Sequence, residues 1–182
     1  MVPDPEELKM ARQADECYQK KHVPLTANYV ANPAKHANLE DVINGKVTLE
    51  HADAITNYSG GCSAAVNGAL RGQYIDLTVE VAAYDQMLTE ALESLPPYND
   101  EIVCRMLLHL DDTASYEAYF TRNINKVLNV PCYLSTSKED WDWEKVVYNI
   151  KTLKANSHAR DISRITNKAD ETEVLFCKNT NF

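Results

Sequence analysis

A change of pattern at "SLPPYND", residues 94–100, constrains the fold of this chain more than any other feature. Before it, apolar residues recur at helical spacing, and "TVEVAAYDQMLTEAL" brings Val81, Tyr84, Leu88 and Leu92 onto one face of a predicted helix. After it they come in short runs, and "EIVCRMLLHL", "VPCYLSTS", "VVYNI" and "ETEVLF" read as strands. Two further helices are predicted upstream. "TLEHADAITNYSGG" stops at Gly60 and Gly61, and "CSAAVNGALRG" stops at Gly72, because glycine ends a helix without steric cost. Helices followed by strands predict an α+β domain, with a helical layer packed on a small, chiefly antiparallel sheet arrangement.

The N-terminal part reads differently. Residues Asp4 to about Lys21 predict a helix, with Pro5 in its first turn, Glu6 and Glu7 at its positive end, and Leu8, Ala11 and Ala14 at helical spacing. The polar stretch that follows reads as a linker or loosely packed arm, so residues 1–46 are expected to form a helix and linker ahead of a single domain over 47–182. An apolar content of 45% with only 5 glycines and 7 prolines fits a folded chain. A formal charge of −9 disfavours broad binding to nucleic acid or an anionic membrane, which requires a net basic face. The N-terminus lacks the basic-then-apolar pattern of a targeting signal, and no apolar run reaches the roughly eighteen residues of a membrane span. Cys17, Cys62, Cys104, Cys132 and Cys177 include no C-x-x-C pair and read as reduced thiols. "NYS" at Asn57 fits a glycosylation acceptor, a triplet frequent enough by chance to be discounted.

Three features of the second half carry chemistry. Arg105 interrupts an apolar strand, where a guanidinium is costly unless it reaches water or an anion, so it is either an edge residue or an anion clamp. Ser135, Thr136 and Ser137 end a second strand, as turn-favouring hydroxyls often do. Glu171 and Glu173 head the last apolar run. If both lie in the strand, they project to one side about 7 Å apart, either as a solvated strand end or as a working carboxylate pair.

In this order the three features resemble the Arg, Ser-Thr-Ser, Glu-x-Glu signature of the mono-ADP-ribosyltransferases, the group that contains clostridial binary-toxin enzymes, bacterial secreted effectors and vertebrate ecto-enzymes. The resemblance extends upstream to Tyr58, Asn67, Leu70 and Arg71, which look like the family's tyrosine followed by an Asn-x-x-Leu-Arg segment. It covers Thr48 to Phe182. It implies an ADP-ribosyltransferase-like fold, with helices packed on two small, mainly antiparallel sheets around an NAD cleft.

The resemblance also implies roles. Arg105 would grip the NAD phosphates with its planar fork of donors. Ser135 would orient the catalytic glutamate, while Thr136 and Ser137 shape the nicotinamide-ribose pocket and Met106 lies along it. Glu173 would stabilise the oxocarbenium-like ribose left by nicotinamide, and Glu171 would handle the acceptor, a glutamate there marking the arginine-modifying branch. Trp141 or Trp143 would supply an aromatic contact to nicotinamide, with Lys145 the cation nearby.

The expected partners are NAD, a host or competitor-cell protein acceptor and a neutralising immunity protein. No metal is required. The expected setting is a secreted or injected effector acting in a target-cell cytoplasm. An NAD glycohydrolase, a nucleic-acid-modifying enzyme and a non-catalytic module that kept the fold are the alternatives. The sequence departs from the family pattern in three places. Met106 stands where glycine usually follows the arginine, Lys168 stands where many relatives have an aromatic, and the chain stops at "CKNTNF", where relatives continue into another strand.

Overall fold

The computed structural model describes residues 47–72, 78–99, 102–106, 113–139, 147–152, 157–166 and 169–182. The helix expected over residues 4–21 and the linker after it lie outside the described residues. Among the described residues, three helices come first. α1 (Leu49–Asn57) starts at Thr48, whose hydroxyl accepts a hydrogen bond from the His51 backbone N–H at 3.1 Å. α2 (Ser63–Leu70) ends at Gly72, which has φ +65°, the left-handed conformation that the sequence assigned to this stop. α3 (Val79–Ser94) buries Val81, Tyr84, Asp85, Leu88, Ala91 and Leu92, including all four residues of the predicted face. It ends where Leu95, held extended ahead of Pro96, leaves the helix with φ −84° and ψ 148°.

The join between α1 and α2 breaks at the glycine pair, as expected. Residues Tyr58–Cys62 form a kinked join in which Gly61 takes the non-helical φ +131°.

The strands build two antiparallel sheets. β1 (Ile102–Met106), β3 (Leu134–Ser137), β4 (Val147–Lys151), β5 (Ala159–Asp161) and β6 (Glu173–Phe176) form a five-stranded sheet in the order β4-β1-β3-β6-β5. β2 (Asn129–Val130) and β7 (Thr180–Asn181) form a two-stranded sheet. "CKNTNF" carries the short strand β7. Mutual bonds of 2.9 Å between the Leu128 and Phe182 backbones extend its pairing with β2. A fourth helix, α4 (Thr113–Arg122), packs Phe120 on Tyr148 of the edge strand β4, with ring centroids 4.5 Å apart.

β6 is buried on both faces. Leu175 joins Ile55, Tyr58, Val66, Leu88, Leu92 and Tyr133 in the core between the sheet and the helical layer. Val174 and Phe176 pack on the other side with Val103 and Ala159. This alternation puts Glu173 on the same side of the strand as Leu175, towards the helices.

Candidate active site

The two glutamates do not share a strand. Ala169–Glu171 form a 3-10 turn, Thr172 takes φ +44°, and β6 begins only at Glu173. The equal spacing along one strand face expected for Glu171 and Glu173 is thus corrected: a left-handed residue between them swings the first acid out of the sheet. For a β-branched threonine this backbone is unfavourable, and its surroundings hold it. The Ser137 hydroxyl lies 3.1 Å from the Glu171 carbonyl and 3.0 Å from the Thr172 hydroxyl, and the Lys138 N–H donates to the Thr172 carbonyl at 3.2 Å. Glu171 ends half-buried on a turn braced from the end of β3.

Glu173 is only 5% exposed, and both of its carboxylate oxygens accept a hydroxyl. Ser135 donates to Oε1 at 2.6 Å, and Ser59 donates to Oε2 at 2.5 Å. Ser135 comes from the neighbouring strand, and Ser59 comes from the kinked join between α1 and α2 in the helical layer. Arg105 reaches the same place, with its Nη1 donating to the Ser135 carbonyl at 2.9 Å. Ser135 thus joins Arg105 to Glu173 through its backbone and its side chain.

The other two hydroxyls of "STS" are engaged in structure. Thr136 is buried and donates to the Val174 carbonyl at 2.6 Å, and Ser137 braces the Glu171 turn while accepting from the Glu139 N–H at 3.0 Å. Met106 keeps its backbone in the sheet opposite Val147. Trp141, Trp143, Lys145 and Lys168 lie outside the described residues.

The upstream segment forms the floor. Asn67 donates to the Tyr58 hydroxyl at 3.0 Å and to the Tyr133 carbonyl at 3.2 Å, and its own carbonyl oxygen accepts the Tyr133 N–H at 3.1 Å. One buried amide thereby ties α2 to the end of α1 and to the chain entering β3. Tyr58 packs edge-on against Tyr133 with centroids 5.7 Å apart. Burial drives its phenol far above the ordinary tyrosine range, against the opposing bond from Asn67 and with help from the nearby Glu173 charge. Arg71, at the end of α2, places Nε 3.1 Å from the Cys132 sulfur.

Ser59 was missed by sequence reasoning, which took "NYS" only as a glycosylation triplet. Asn57 in fact turns its amide back onto the Asp53 carbonyl at 2.8 Å. A hydroxyl directly after the family's tyrosine and before two glycines was the available signal. Among the described residues no group of His, Cys, Asp and Glu is arranged to hold a metal ion, and no helix is long and apolar enough to cross a membrane.

The sequence model of the ADP-ribosyltransferase exoenzyme family matches residues 36–182. The chain belongs to this family of NAD-dependent mono-ADP-ribosyltransferase toxins. No match was found among curated protein sequences. The fold is shared with Plx2a, an ADP-ribosyltransferase toxin from Paenibacillus larvae, at 16% identity over 93% of this chain and 84% of that one, with a TM-score of 0.63. It is shared with the C3 exoenzyme of Clostridium limosum at 17% identity, 90% and 88% coverage and a TM-score of 0.63. Exoenzyme S from Pseudomonas aeruginosa, solved with human 14-3-3 protein beta and bound to carba-NAD, shares it at 21% identity, 92% and 78% coverage and a TM-score of 0.61.

Proposed function

We propose that this chain transfers ADP-ribose from NAD to an arginine side chain of a target protein and releases nicotinamide. The observation that carries the reading is the buried Glu173 carboxylate, bonded at both oxygens and joined through Ser135 to Arg105. Departure of nicotinamide leaves positive charge on the ribose, and a fixed anion beside it lowers the barrier because it need not reorganise as the charge develops. Glu173 is that anion, and it also accepts from a ribose hydroxyl. A guanidinium carries several N–H donors in a planar fork, so anchoring one on Ser135 leaves others for the pyrophosphate of NAD. Thr136 and Ser137 support the pocket through the backbone they hold.

Glu171 takes the acceptor side. A half-buried carboxylate on its own turn suits pairing with an incoming guanidinium, orienting it and accepting its proton. The bound carba-NAD of exoenzyme S supports NAD as the donor here. The toxin relatives support a role as an effector acting on a protein of a target cell.

The test uses labelled NAD, cell extract and three forms of the chain: wild type, Glu171→Gln and Glu173→Gln. Glu173→Gln is expected to lower nicotinamide release by about 100- to 1000-fold. Glu171→Gln is expected to keep it while losing protein label, and the wild-type label should be removed by reagents that cleave arginine-linked ADP-ribose. Nicotinamide release by the wild type with no label on any protein would make the chain a glycohydrolase and sink the transferase reading. Label that survives arginine-directed cleavage would remove the arginine assignment alone.

A further inference from the structure

Ser59 has no part in the motifs that point to NAD chemistry, yet it supplies half of the hydrogen bonding seen on the Glu173 carboxylate. The chain brings it there by a specific local device. Tyr58 closes α1, its N–H bonding back to the Ala54 and Ile55 carbonyls, and Ser59 follows it directly. Gly61 at φ +131° then kinks the chain before α2 begins at Ser63. Tyr58, next to Ser59, is locked by burial, by the Asn67 amide and by its edge contact with Tyr133. Its neighbour is thereby held facing β6, across 114 residues of sequence.

A carboxylate bonded at one oxygen can still turn about its terminal torsion, which is broad and roughly two-fold in glutamate. Ser135 alone fixes where Oε1 lies. Ser59, donating to Oε2 from the helical layer, fixes the plane of the group. We propose that Ser59 is a positioning residue for the transferase reaction, acting through Glu173 to hold its carboxylate at the orientation that faces the developing ribose cation. The inference rests on the assignment of Glu173 to that cation. It concerns the turnover step more than NAD affinity, because the ground state of NAD has no ribose cation to stabilise.

The experiment measures nicotinamide release by the full chain in four variants: Ser59→Ala, Ser59→Thr, Glu173→Gln and the double Ser59→Ala/Glu173→Gln. Ser59→Ala should lower kcat by about 10- to 100-fold, the range for a hydroxyl bond to a charged group, with KM for NAD changed by less than ~3-fold. Ser59→Thr, which keeps the hydroxyl, should return kcat to within ~3-fold of wild type. In the Glu173→Gln background, loss of the serine should cost less than ~2-fold more, because a residue acting through another has nothing left to act on.

Wild-type kcat in Ser59→Ala, a further loss in the double variant equal to that in the single one, or a fall in kcat that comes with a lowered melting temperature and no rescue by threonine would each overturn the proposal. The two assignments fail separately. Glu173→Gln inactive with Ser59→Ala fully active removes Ser59 alone, whereas Glu173→Gln fully active removes Glu173 and Ser59 together.

Discussion

Ser135 and Glu173 meet on a diagonal of the β3–β6 pair. Ser135 lies opposite Leu175 and Ser137 opposite Glu173, yet the Ser135 hydroxyl crosses to Glu173 Oε1 at 2.6 Å. Diagonal neighbours on an antiparallel pair are within reach of side chains of this length. The carboxylate's direction is thus tied to the sheet register, and the carbonyl of the same serine receives Arg105. Ser135→Ala removes only the hydroxyl bond and leaves the carbonyl for Arg105. Its kcat for nicotinamide release should fall by about 10- to 100-fold with KM for NAD nearly unchanged, measured under single-turnover and steady-state conditions. A large rise in KM with unchanged kcat would place Ser135 in NAD binding instead.

Ser137 separates the two activities expected of the site. Its hydroxyl braces the Glu171 carbonyl and Thr172, whereas the hydroxyls on the Glu173 carboxylate come from Ser59 and Ser135, so Ser137→Ala loosens the acceptor-side turn and leaves the bonds to Glu173 in place. Loss of a bond worth about 1 kcal/mol corresponds to roughly a 5-fold fall in transfer to protein, while nicotinamide release should stay within ~2-fold of wild type. Both are read from one reaction with labelled NAD. Equal falls in the two would show that the turn also shapes the donor site.

Asn67 is the buried hub of the floor, and a change there is expected to appear in stability. Asn67→Ala leaves the Tyr133 N–H and carbonyl and the Tyr58 hydroxyl without their partner in a site from which water is excluded. The expected cost is about 2–4 kcal/mol, since each unsatisfied buried group costs ~1–3 kcal/mol and water or relaxation recovers part of it. Urea denaturation followed by far-UV circular dichroism measures it. A change below ~0.5 kcal/mol, the level of an ordinary surface substitution, would contradict the hub.

The parts of this fold that were legible in the sequence are those governed by local periodicity. Val81, Tyr84, Leu88 and Leu92 sit buried on one face of α3 as their spacing requires, and Gly72 ends α2 at positive φ. Arg105, Ser135 and Glu173 come together because each lies on a strand whose apolar run was readable, and antiparallel pairing did the rest. What could not be read depends on tertiary context. β5 consists only of Ala159, Arg160 and Asp161, with no strand-like composition, and it exists because β6 needs a partner on that side. α4, "TASYEAYFTR", is too polar to show a clear apolar stripe, and β4 carries the aromatic against which it packs. Thr172 gives no hint of a left-handed backbone, since threonine is among the residues least suited to it, and Ser137 and Lys138 hold it there from another strand. Ser59 was hidden for the same reason, because its partner is far away in sequence.

Acid should weaken the brace behind the Glu171 turn through Asp161. Lys138, whose N–H holds Thr172, also bonds Asp161 Oδ2 with its ammonium at 2.5 Å, while Asp161 Oδ1 accepts the Ser163 hydroxyl at 2.6 Å and its N–H at 3.0 Å. Burial alone would raise the Asp161 carboxyl, but the bonds from Lys138 and Ser163 outweigh it and hold the carboxyl below the ordinary aspartate value. An unfolded aspartate takes up its proton near pH ~3.9, so below that pH the unfolded chain binds protons before the folded one does. The stability contributed by Asp161 is therefore fully present above about pH 4 and is lost as the pH falls through the lower folded value. In urea denaturation, the stability gap between wild type and Asp161→Asn should be constant from about pH 5 to 7 and should shrink below about pH 4. A gap that does not change with pH would mean that the asparagine disturbs packing and that the charge of Asp161 plays no part.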